Sequence, residues 1–75
     1  MVYPLIDVAA TGSRIDDLRR ESGISVAVMR DLLGLSTTHA IYRWLRGETL
    51  PTLDNIVALS MMFEVAIDDL IVSGK

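Results

Sequence analysis

Arg43 and Arg46 sit three residues apart near the end of a short apolar-periodic segment, which Thr37, Thr38 and His39 open. On a helix that spacing puts the two guanidiniums on one side, one turn apart. An arginine fork suits a phosphate or the edge of a guanine, and a threonine hydroxyl can serve either base or phosphate. Tyr42 adds an aromatic ring with a hydroxyl donor between them. Other chemistry is poorly supplied. His39 is the only histidine, cysteine is absent, and no second metal ligand lies near His39 in sequence. The adjacent acids Asp16-Asp17 and Asp68-Asp69 diverge by ~100° on a helix, so neither pair converges on one substrate atom. They read instead as acids favoured at a helix's positive end. No catalytic residue, metal site or cofactor is expected, and no small-molecule ligand is evident.

Short helices must position these groups. Gly23, Gly34 and Gly47 each close an apolar-periodic stretch, as left-handed residues do at helix ends. A first helix is predicted over Gly12 to Glu21 with Ile15 and Leu18 inward. A second follows over Val26 to Leu33, capped by Ser25. Its two stripes, Val26-Met29-Leu33 and Val28-Leu32, predict burial on more than one side. Ser36 or Thr37 is expected to cap a third helix ending near Arg46, with Ile41, Trp44 and Leu45 toward the core. Thr52 caps a fourth through Phe63, its inner face Leu53, Ile56, Val57, Ser60 and Phe63. A fifth, Ile67 to Val72, completes an all-α bundle of five short helices without a sheet. Residues 1–11, with Pro4 and the β-branched Val2, Ile6 and Val8, read as an extended leader. Residues 12–72 form the domain, and residues 73–75 a loose tail.

Composition bounds the rest. With 75 residues, a single domain is expected, burying only ~60% of its unfolded surface. A hydrophobic content of 51% is high for that size. It predicts surplus apolar surface covered by a second copy, with Leu70, Ile71, Val72, Met62, Tyr3 and Leu5 as candidates. The longest uncharged stretch, Leu32 to Tyr42, falls short of the ~20 residues of a membrane span. With no cysteine and no basic start before Arg14, a cytoplasmic protein without membrane contact is expected.

The second and third helices, meeting at Gly34-Leu35-Ser36, have a helix-turn-helix layout. The sequence here resembles the Cro- and phage-repressor-like (Xre-type) helix-turn-helix domains. The residues carrying the likeness are Arg14-Ile15 with Leu18-Arg19, Gly23-Ile24-Ser25, and Leu33-Gly34-Leu35-Ser36. They continue as Ile41-Tyr42-Arg43-Trp44 with Gly47, Leu50-Pro51-Thr52-Leu53-Asp54-Asn55-Ile56, and Val65-Ala66-Ile67-Asp68-Asp69-Leu70. The Ala40-Ile41-Tyr42-Arg43-Trp44 core and the leader are also similar to those of a subset of small bacterial regulators. Five positions depart from the family pattern. One extra residue lies between Ser36 and Trp44. Val26 replaces a phosphate-contacting Gln, and Arg30 a small Ala between the helices. Leu45 replaces a Glu that pairs with the first-helix arginine, leaving Glu48 as the nearest partner for Arg19. Glu64 replaces a glycine, predicting a different end to helix four.

The resemblance implies a lambda-repressor-like DNA-binding domain and a bacterial transcription regulator, in the main a repressor. The third helix would enter the major groove of double-stranded DNA, presenting Ser36, Thr37, Thr38, His39, Tyr42, Arg43 and Arg46. A homodimer would place two such helices about one turn (~34 Å) apart on a palindromic operator. The rival reading is a protein-interaction module, an antirepressor or antitoxin component, that keeps the fold and binds little DNA. The formal charge of −3 favours the rival, but the charge is unevenly spread. Residues 12–47 carry +2, residues 48–75 carry −4, and Asp7 adds −1.

Overall fold

The computed structural model describes residues 5–74; the predictions touching Val2, Tyr3, Pro4 and Lys75 lie outside them. Five helices follow in order: α1 Val8–Glu21, α2 Val26–Leu33, α3 His39–Leu45, α4 Leu53–Phe63 and α5 Ile67–Leu70. The described residues contain no strand beyond one isolated bridge, so the chain is an all-α bundle as predicted. Each helix gives its apolar stripe to one core: Ile15 and Leu18, Val26 and Met29, Ile41 and Trp44, Ile56 and Leu59, and Leu70. That is the 3.6-residue period expressed as burial.

The two ends of the domain depart from expectation. α1 begins at Val8, four residues before the predicted start, so the leader is not extended throughout. Asp7 takes the N-cap position, its carboxylate accepting from the Ala10 N–H at 2.9 Å. Ala9 and Ala10 then propagate the helix, and together they override the β-branched Val8. The tail is tied down rather than loose. Ile6 and Ser73 form an antiparallel bridge. Asp7 N–H donates to the Val72 carbonyl at 2.8 Å, and Gly74 N–H donates to that of Leu5 at 2.6 Å. The wholly buried Thr11 completes this clasp, its hydroxyl accepting from the Val72 N–H at 3.0 Å. α5 accordingly stops at Leu70, because Ile71 turns extended to reach the N-terminal segment.

Packing also corrects several assignments. Val28 and Leu32 are exposed, so α2 buries one stripe and not two. On α4 the buried residues are Ile56 and Leu59, whereas Leu53 is 77% exposed and Val57 43%. Leu70 is buried and cannot contribute surplus surface. Arg19 finds Asp16 in place of Glu48, donating to its carboxylate at 3.0 Å and to the Ile24 carbonyl at 2.9 Å. Arg30 pairs with its neighbour Asp31. Helix four ends in the usual left-handed residue despite lacking glycine there: Glu64 has φ 54° and ψ 44°.

α1 crosses the end of α3 at very short range. A Cβ on Gly12 would lie 2.1 Å from the Trp44 carbonyl oxygen. One on Gly47, whose φ is +74°, would lie 2.8 Å from the Ala9 Cα. Only glycine allows either approach, and the pair sets where α3 stands against the domain.

Candidate nucleic-acid interface

α3 is seven residues long and amphipathic in the strict sense: Ile41 and Trp44 are buried, while His39, Tyr42 and Arg43 are exposed. The indole of Trp44 is a core group, only 3% exposed, as its place on the Ile41 side predicts. The helix closes through two backbone bonds, Gly47 N–H to the Trp44 carbonyl and Glu48 N–H to that of Arg43. The left-handed Gly47 makes this closure possible and carries Glu48 back beside the last turn.

Of the seven predicted site residues, four come together. His39, Tyr42, Arg43 and Arg46 line one open recess of about 420 Å³ on the outer side of α3. Ser36, Thr37 and Thr38 do not share it. They lie in the five-residue connection between α2 and α3. The cap assignment also changes. Thr38 holds the N-cap position without a side-chain bond, and the Thr37 hydroxyl accepts from the His39 N–H at 3.4 Å. Ser36 and Thr37 are exposed and Thr38 is half-buried.

The two arginines differ in their surroundings. Arg43 has no ion-pair partner among the described residues, and its guanidinium is open to solvent. Arg46 instead donates through Nε to the Glu48 carboxylate, and both side chains are about half exposed. This hydrogen bond, helped by the charge of Arg46 and more weakly of Arg43, holds the Glu48 carboxyl below its ordinary range. The same bond holds the Arg46 guanidinium above its own. Glu48 is the member of the site that sequence reasoning missed, having assigned it to Arg19. The signal was present in the Arg46-Gly47-Glu48 spacing, since a left-handed glycine folds the chain back after the helix.

The recess is cationic, open and built on the outer side of α3. It can accept a phosphate or the edge of a base, and it offers no enclosed pocket for a small substrate. Among the described residues, no three His, Cys, Asp or Glu side chains gather as metal ligands. No described helix is long and apolar enough to cross a membrane.

No protein-family model and no curated protein matches the chain. Solved structures do. The restriction-modification controller protein C.AhdI from Aeromonas hydrophila superposes with a TM-score of 0.75 at 26% identity, over 85% of this chain and 96% of that one. The P22 c2 repressor protein, solved in complex with a synthetic operator, superposes with a TM-score of 0.73 at 33% identity. That match spans 80% of this chain and 89% of the repressor chain.

Proposed function

The chain belongs to the Cro/repressor-like helix-turn-helix family, and from that premise we propose that it is a sequence-specific DNA-binding transcription regulator, in the main a repressor. α3 enters the major groove and presents His39, Tyr42, Arg43 and Arg46 to the bases and the adjoining phosphates. Ser36, Thr37 and Thr38 approach from the preceding turn, where their hydroxyls suit phosphate. The observation that carries this reading is the convergence of those four side chains on one exposed helix face, with the Arg43 guanidinium unpaired. The rival, a protein-interaction module with little DNA binding, predicts no loss of duplex affinity on Arg43→Ala and little dependence on salt.

Homodimerisation on a palindromic site completes the proposal. The support is apolar surface left uncovered: Leu5, Leu53 and Met61 are 79%, 77% and 74% exposed. This surface replaces the buried Leu70 of the sequence expectation. Leu53, Val57 and Met61 recur every four residues and form one stripe along α4. Sedimentation equilibrium should find a dimer, weakened by Leu53→Glu; a monomer at high concentration would remove this part of the proposal.

The decisive experiment is selection of bound duplexes from a random pool, followed by titration of the Arg43→Ala variant. A palindromic consensus and a loss of about tenfold or more in affinity are expected, since an arginine–guanine contact is worth about 1–3 kcal/mol. Log affinity should fall with log salt by about 0.9 for each neutralised phosphate. Binding by the Arg43→Ala variant equal to the parent's would place the interface elsewhere.

A further inference from the structure

Glu48 sits within the proposed interface and has the wrong charge for it. Its carboxylate lies against Arg46, the last cation of the recess, and occupies the guanidinium at Nε. Nothing in the fold requires an acid there. Glu48 is exposed, and its backbone bond to the Arg43 carbonyl is independent of its side chain. It follows the C-terminus of α3, where the helix's negative end disfavours an acid. Arg46 is what makes the position tolerable for it. The contact is therefore between two side chains that water and salt can separate, and a DNA phosphate approaching Arg46 must compete with it.

We propose that Glu48 is a specificity-determining residue: its carboxylate occupies Arg46 in place of a DNA phosphate and so withholds that contact from nonspecific DNA. This rests on the assignment of α3 to the major groove. On any duplex whose backbone is not held close to Arg46, the intramolecular carboxylate wins, because it is tethered two residues away and pays no association cost. A phosphate gains the guanidinium only where the other contacts of a correct site, Arg43 first among them, hold the backbone in place. The segment carries only a small positive charge, and this pairing removes one of its two exposed recess cations from the nonspecific tally.

Glu48→Gln tests this without altering shape. With random-sequence duplex at low salt, the variant should bind about two- to fivefold tighter, the range set by release of one exposed ion pair. Its log–log salt slope should steepen by about 0.9, the signature of one added phosphate contact. The preference for the selected site over random duplex should fall, while the melting temperature stays at the parent value. The same substitution in an Arg46→Ala background should change neither affinity nor slope. A general charge effect would raise binding in both backgrounds and overturn the inference, as would an unchanged Glu48→Gln slope. If Arg43→Ala weakens binding and Glu48→Gln does nothing, the groove assignment stands and the role of Glu48 falls. If the parent binds no duplex at all, both fall.

Discussion

Replacing Gly12 with alanine adds one methyl group where α1 crosses the end of α3 at very short range. The new Cβ would sit 2.1 Å from the Trp44 carbonyl oxygen, 3.2 Å from its carbon and 3.5 Å from the Gly47 nitrogen. A carbon and a carbonyl oxygen are comfortable at about 3.3 Å, so α1 and the end of α3 must part by about 1.2 Å. No side chain can yield, because every atom met is backbone. Overpacking of this kind costs about 1–3 kcal/mol, and a clash this deep belongs at the upper end. Alanine's better helix propensity returns about 1 kcal/mol. The net loss is about 2 kcal/mol, which for a chain this short lowers the melting temperature by about 8–16 °C. The effect extends to binding. Trp44 neighbours Arg43 and lies one turn before Gly47, so displacing its backbone moves the recess as a unit. DNA affinity should drop even at temperatures where the variant remains folded. Gly23→Ala is the control: a Cβ there meets nothing within 4 Å, but φ is +70°. It should cost about 1 kcal/mol through backbone strain and leave affinity intact. Calorimetry and gel-shift titration on both variants decide the matter. A Gly12→Ala protein melting within a degree or two of the parent would show that the crossing does not set the position of α3.

Three further outcomes are expected. Glu64→Gly should raise stability by about 0.5–1 kcal/mol, since left-handed strain outweighs glycine's added freedom in the unfolded chain; a lower urea midpoint would contradict this. Thr11→Val should cost about 1–3 kcal/mol by leaving the Val72 N–H without its acceptor, whereas Thr11→Ser should retain the bond, and denaturant unfolding separates the two. Carboxyl-detected NMR should find Glu48 titrating below the ordinary glutamate value of 4.5, moving back up in Arg46→Ala. Because the folded value is the depressed one, the pair's contribution is present above the unfolded value and fades as pH falls through the folded one. An unmoved Glu48 midpoint in Arg46→Ala would mean that the pair does not form in solution.

The core was legible wherever apolar residues were interleaved with charged ones. Ile15 and Leu18 stand among arginines and acids, and Ile41 and Trp44 among Tyr42, Arg43 and Arg46, so their phase was unambiguous. α4 is apolar nearly all round, and periodicity then cannot say which stripe faces inward: Leu59 is buried while Leu53 is exposed. Val28 and Leu32 misled for the same reason. The start of α1 was hidden because one capping carboxylate, Asp7, outweighed the local preferences of Val8. At the recess on α3, the helix period by itself brought Arg43, Arg46, Tyr42 and His39 together. Ser36, Thr37 and Thr38 fall in the connection before α3 and outside the recess, because the helix starts only at His39, and no local pattern encodes that start. The Arg46–Glu48 pairing depended on a left-handed glycine whose effect on the next side chain appears only in three dimensions.

The clasp at the ends has a consequence for how the chain assembles. Thr11 and Val72 are 61 positions apart in sequence, and Leu5 and Gly74 further still. Contacts that close so long a loop carry the largest entropic cost, and they form once the intervening helices have already brought their ends near. Loop closure therefore favours an order of helices and core first, clasp last. Unzipping runs the other way, and the Asp7 and Gly74 amides, carrying the two bridging hydrogen bonds, are placed to exchange with solvent before those of the core. Since Asp7 also caps α1, this last-formed seam determines whether the first turn of that helix stays wound beneath Gly47.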